Sequence, residues 1–208
     1  MNPADSSGEK ILELYRRAND LCKRGEYQKA LDCYGDCLVL LERAADMIGQ
    51  LTVLHEIASV YELQHEYDKA LDLLENCLDL ATQLDERHQR AVALHRIGHI
   101  RYIKGDDHGA LDFFNESMVQ SAEVKDYRGW ALSRAMMGQI HYTRGQVNEG
   151  VGLMIEALNV LFQINAQEKN NLIDHVRSLG KRMEKDSFEC LVVAKTDNKK
   201  ILNMLLRE

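Results

Sequence analysis

The sequence predicts an all-α fold, a solenoid of stacked antiparallel helical hairpins. Two observations carry that reading. A residue pattern returns every 40 positions, and the only proline is Pro3, so no helix downstream meets an interior breaker. Strand-type alternation of β-branched residues is scarce.

The repeat is clearest in four stretches: GEYQKALDCYGDCL from Gly25, HEYDKALDLLENCL from His65, GDDHGALDFFNESM from Gly105 and GQVNEGVGLMIEAL from Gly145. Each places a small residue at a fixed point (Ala30, Ala70, Ala110, Gly150). A large residue follows four later (Tyr34, Leu74, Phe114, Met154), then another small one (Cys37, Cys77, Ser117, Ala157). A second set precedes each stretch: Ala18, Ala58, Gly98 and Gly138, with Leu14, Leu54, Leu94 and, breaking the apolar series, Arg134. Small residues let paired helices approach and large ones fill the gaps between them. One hairpin cannot bury its apolar face alone, so successive hairpins must stack.

Taken in order, the predicted helices are 9–24, 27–46, 48–64, 67–84, 87–104, 107–123, 127–144, 147–164 and 167–184. The turns inside the hairpins fall at Gly25, Gly105 and Gly145, where glycine can take the shape that ends a helix. His65 holds that place in the second copy. Residues 1–8 are expected to form a disordered leader, 9–184 the array of four hairpins plus a further helix, and 185–208 a C-terminal segment. Cys190 lies 40 after Gly150, so a capping helix over 187–206 would complete a fifth, decayed hairpin. The run Leu191-Val192-Val193 also fits an extended segment; the helix is preferred.

This order of small residue, glycine turn, alanine, aromatic and small residue resembles the tetratricopeptide repeat. The usual unit has about 34 residues, so a 40-residue unit looks like the longer variant. Asp126-Tyr127-Arg128-Gly129 also resembles long-repeat members. The resemblance covers roughly 9–184. It implies a right-handed superhelix whose first helices line a concave groove that holds a peptide or partner protein.

By that resemblance the groove-facing places are the second, fifth, ninth and twelfth of units starting at Ile11, Leu51, Ala91, Ala131 and Asn171. The candidate contacts are Tyr15, Asn19, His55, Ser59, Glu62, His95, His99, Tyr102, Gln139, Tyr142, His175 and Arg182. Such side chains hydrogen-bond peptide backbone and carboxylates, and histidines bring pH dependence. The plainer alternative is a solvated helix face. The family's carboxylate clamp would fall on Tyr15, Asn19, Glu56, Val92 and Arg96. Only Asn19 and Arg96 agree with it and Glu56 opposes it, so acidic chaperone tails are not expected partners.

Other functions have weaker support. The net charge of -7 argues against nucleic acid. No apolar run is long enough for a membrane span, and the N-terminus has no signal peptide. The five cysteines are odd in number and spaced as core positions, which suggests reduced thiols and a cytoplasmic protein. His95 and His99, four apart, have a metal-compatible spacing, but HExxH and CxxC are absent. No metal, cofactor or catalytic residue is expected. Cys33 and Cys37, Met136 and Met137, and Trp130 are expected to serve packing. A protein-interaction scaffold leads; a ligand-responsive sensor module and a self-assembling homo-oligomer stay open.

Overall fold

The computed structural model describes residues 3–206, with side chains from Ser7 onward. Every regular element among them is a helix. In order these are α1 (Pro3–Lys23), α2 (Tyr27–Arg43), α3 (Met47–Leu63), α4 (Tyr67–Gln83), α5 (Arg87–Ile103), α6 (Asp107–Glu123), α7 (Tyr127–Thr143), α8 (Val147–Gln163), α9 (Glu168–Gly180), α10 (Lys185–Lys195) and α11 (Lys199–Leu206). The described part of α1 begins at Pro3, inside the expected leader, so that residues 3–8 are helical. Residues 1 and 2 of that leader lie outside the described residues.

α2 to α8 have 17 residues each, and three-residue links join them. A positive φ recurs every 20 residues, at Gly25, Ala45, His65, Asp85, Gly105, Lys125, Gly145 and Asn165. At the first of these, Gly25 N–H donates to the Cys22 carbonyl (2.9 Å) and Glu26 N–H to the Leu21 carbonyl (2.9 Å). That crossed pair closes a helix end through a left-handed residue. Ala45 and Asp46 repeat it at the next link. Some links then start the next helix with an aspartate cap. The carboxylates of Asp46, Asp106 and Asp126 accept from the N–H of Gly49, Gly109 and Gly129 at 2.8, 2.9 and 2.9 Å.

The chain divides into two units, residues 1–93 and 94–208. In the first, α1 packs on α2, α2 on α3 and α3 on α4. Ala18, Ala30, Tyr34, Cys37, Val53 and Ile57 share one core, and Leu51, Cys77, Ala81 and Ala93 another. Cys33 and Cys37 are buried there, as expected for packing. Burial pushes the Cys37 thiol up to about 11, helped by Cys33 and Asp36, so it stays protonated.

In the second unit α6 packs on α7, α7 on α8 and α8 on α9. Ala110, Phe114 and Ile140 form one buried cluster, with Tyr102, Met136 and Met137 against it. Ala131, Ala157 and Leu161 form another, with Trp130 alongside. The α7–α8 crossing is the tightest: a Cβ on Gly150 would fall 2.5 Å from the Gly138 carbonyl oxygen.

The fifth hairpin is not formed. α9 ends at Gly180, where the sequence reading extends it to 184, and the expected single helix over 187–206 is two. Thr196 is extended (φ -150°, ψ 139°). Its hydroxyl accepts from Asn198 N–H at 3.1 Å, and the Asn198 side chain accepts from Lys200 N–H at 3.0 Å. Such local bonds compete with helix and break it. Register is lost as well. Cys190 is exposed and so is Ser178, although the same places in earlier copies are buried. Gly180, Phe188 and Val192 are buried there instead. α10 packs on α8 and α11 on α9.

Candidate partner-binding face

The first unit sets Tyr15, Asn19, His55, Ser59 and Glu62 on α1 and α3. Tyr15 O–H donates to Glu56 Oε1 at 2.8 Å, tying one first helix to the next. Burial, then Glu56, raises the Tyr15 phenol above its ordinary value. Asn19 Oδ1 accepts from Tyr34 O–H at 2.7 Å, and the Tyr15 and Tyr34 rings meet edge to face, centroids 6.0 Å apart. Ser59 O–H donates to the His55 carbonyl of its own helix (3.2 Å). His55 is 6% exposed, so it offers little surface to a partner. Glu62 is half-buried. Glu56 and Asn19, two of the clamp places, serve as acceptors for tyrosines inside the unit.

In the second unit His95, His99, Tyr102, Gln139, Tyr142, His175 and Arg182 come from α5, α7 and the α9 end. His95 Nδ1 is 2.8 Å from Ser133 Oγ, and Ser133 O–H donates to Ser117 Oγ at 3.1 Å. With that hydroxyl proton directed to Ser117, His95 Nδ1–H is the donor to Ser133. The His95 ring lies 5.3 Å from Phe114. Burial, then the charges of His99, Arg96 and Arg128, lower its pKa from the ordinary 6.5 to about 4. His95 is therefore neutral at neutral pH and ties α5 to α7, with α6 supplying Ser117. Nδ1 is committed there, which removes one nitrogen from the metal-compatible pair with His99.

His175 Nε2–H donates to Gln139 Oε1 at 2.7 Å, tying α7 to α9. Burial, then Arg182, lowers the His175 pKa. Arg182 lies beyond the end of α9 and is exposed, so the twelfth place of the fifth copy is not on a helix. Tyr102 and Tyr142 lean on the core below. The α7–α9 edge carries a further tie, Arg128 Nε–H to Glu168 Oε1 at 2.9 Å. The segments of α5 and α7 contain no Asp or Glu, whereas α4 and α6 are rich in them.

Sequence reasoning missed the opposite face of α8. Glu156 Oε2 accepts from Arg134 Nε–H at 3.0 Å, and Glu156 Oε1 from Lys195 at 2.6 Å. Burial opposes ionisation, yet Lys195 and Arg134 outweigh it, and the Glu156 pKa is lowered. Asn159 holds Thr196 O–H (2.5 Å) and donates to the Lys195 carbonyl (2.9 Å). The signal was in the repeat. Exposed Asp32, Asp72 and Asp112 become buried Gly152, and Gly35, Glu75 and Asn115 become buried Ile155. An outer face that turns small and apolar is a covered face.

Residues 49–118 match the family model of the tetratricopeptide repeat. The match covers 70 of the 208 residues, from α3 into α6. Solved structures carry the same fold. BtubC (BKLC) from P. vanneervenii is 14% identical, with a TM-score of 0.72 over 98% of this chain and 91% of that one. A Podosopora anserina putative kinesin light chain with nearly identical TPR-like repeats is 14% identical, with a TM-score of 0.65 over 95% and 97%. A Rap protein solved in complex with Competence and Sporulation Factor is 16% identical, with a TM-score of 0.74 over 95% of this chain and 55% of that one. At these identities the likeness is one of fold. No curated protein matches the sequence. Among the described residues, no helix of the repeat array is long and apolar enough to cross a membrane, and no group of three or more His, Cys, Asp or Glu is placed to hold a metal.

Proposed function

We propose that this tetratricopeptide chain is a cytoplasmic scaffold that holds a peptide or partner protein against the first helices of its hairpins. The observation that carries the reading is the row of α5, α7 and α9 in the second unit. His95–Ser133 and Gln139–His175 bonds fix their spacing, and His99, Tyr102, Gln139 and His175 offer polar groups beside that seam. Groups held this way lose little freedom on binding, which is how a preformed surface gains affinity. The absence of carboxylates from α5 and α7 favours a partner segment with acidic side chains. The Rap complex supports the reading by fold, since a protein of like architecture was solved with a bound factor.

The test is affinity capture with the full chain, identification of the retained partner, and a titration of that partner. Changing His99, Gln139 and His175 together to alanine is expected to weaken binding about tenfold or more, a loss of about 1.4 kcal/mol. Asp72→Ala and Asp112→Ala on the second helices are expected to leave it unchanged. The opposite pattern would move the binding surface to the other face and end this proposal.

A further inference from the structure

The C-terminal end of the second unit contains a cavity of about 630 Å³, within the range of small-molecule sites. Met183, Phe188, Leu205 and Leu206 supply apolar lining. Gly180 lets the Phe188 ring pack directly on α9: a Cβ there would fall 2.5 Å from that ring. Lys181 and Lys185 also line it, and both are exposed. Neither has an ion-pair partner among the described residues, whereas the Arg177 guanidinium is occupied by the Met204 carbonyl and Asp174. Glu189 is the only carboxylate of the described lining, one turn along α10 from Lys185. In a chain of net charge -7, this is a local cationic lip over an apolar floor.

We propose that this cavity binds a single-chain anionic amphiphile, a monocarboxylate with an alkyl tail of the fatty-acid class. The tail displaces water from half-buried Met183 and Leu206, over the buried Phe188 and Leu205, which is where the binding free energy of such a molecule comes from. The carboxylate takes charge-assisted hydrogen bonds from Lys181 and Lys185. Glu189 disfavours a head with more than one negative charge, which selects a carboxylate over a phosphate monoester. The cavity shares α9 with the proposed partner-binding row, but its lining includes none of His99, Tyr102, Gln139 and His175.

The test is isothermal titration of the full chain with decanoate below its micelle concentration. Saturable binding at one site is expected. Decanol, which lacks the charge, and acetate, which lacks the tail, are each expected to bind at least about tenfold more weakly. Lys181→Glu combined with Lys185→Glu changes two exposed residues and is expected to weaken decanoate about tenfold or more with an unchanged helical circular dichroism spectrum. Non-saturable uptake, equal affinity for decanol, or unchanged affinity in the double variant would each overturn the assignment. Sedimentation at several concentrations separates the remaining occupant: a dimer that the double variant dissociates would mean that a second copy fills the cavity, and would also overturn it.

Discussion

Gly150→Ala is a substitution that the repeat recommends and the structure rejects. The three earlier copies have alanine at this place, Ala30, Ala70 and Ala110. Replacing glycine inside a helix gains about 1 kcal/mol from the backbone alone. The added Cβ, however, would lie 2.5 Å from the Gly138 carbonyl oxygen, 2.6 Å from the Tyr142 nitrogen and 2.9 Å from the Tyr142 Cα. All three are backbone atoms of α7, so no side-chain rotation relieves the clash. α7 and α8 must separate, by on the order of 1 Å, to restore ordinary contact distances. That movement loosens Ile140, Met154 and their neighbours, and overpacking of this kind costs about 1–3 kcal/mol, occasionally more. A clash with rigid backbone atoms belongs in the upper part of that range, about 2–3 kcal/mol, so less the helix gain we expect a net loss of about 1–2 kcal/mol. For a chain of this size that is a fall in Tm of roughly 2–8 °C. Gly35→Ala is the control: nothing lies within 4 Å of its added Cβ, and it sits inside α2. It should stabilise by roughly 0.5–1 kcal/mol. Urea unfolding followed by circular dichroism reads both. If Gly150→Ala is as stable as the parent or more so, the close approach of α7 and α8 is wrong.

Two further outcomes follow from the buried polar groups. Burial holds His95 at about 4, below its ordinary 6.5, so the unfolded chain binds this proton more readily than the folded one. Its contribution is intact above about pH 6.5 and is lost as pH falls toward 4, amounting to about 2 kcal/mol between pH 7 and pH 5. His95→Gln should remove that part of the pH dependence of the urea midpoint, and an unchanged slope in the variant would refute the assignment. Glu156→Gln should release α10 and α11 selectively, because the carboxylate that joins α7, α8 and α10 loses its charge. Hydrogen exchange in 185–206 should speed up about tenfold or more while α7 and α8 stay protected, an effect of about 1–2 kcal/mol. A uniform change across the second unit, or none, would contradict a local latch.

The hairpin frame was legible because it is written four times. Each copy is degenerate, but Ala30, Ala70, Ala110 and Gly150 share a phase that chance does not maintain. The links between hairpins were less visible. Ala45, Asp85, Lys125 and Asn165 all take a positive φ, yet they share no residue type, so only their spacing identifies them. At the candidate face the phase gave the residues but not their bonds. Tyr15 with Glu56, His95 with Ser133 and Gln139 with His175 join neighbouring first helices, and each pair is separated by close to one repeat. Complementary donors and acceptors near that separation were a readable signal. The C-terminus was misread because the repeat was extended through it. Thr196 and Asn198 are turn-forming residues, and their local bonds outweigh a helical pattern carried by few apolar positions.

The docking of α10 and α11 onto α8 and α9 also bears on how such a molecule could be lengthened or shortened. A stacked repeat has no built-in last copy, since each hairpin presents to solvent much of what the previous one presented to it. Here the growing edge is closed by chain that has left the repeat: Phe188, Val192, Ile201 and Leu205 seal Val176 and Leu179. A designer grafting extra copies would have to insert them upstream of α8, where Gly152 and Ile155 mark the terminal copy. A protease cutting in 181–184 would do the reverse, leaving the cover held by packing alone, so that its dissociation would bare Val176 and Leu179.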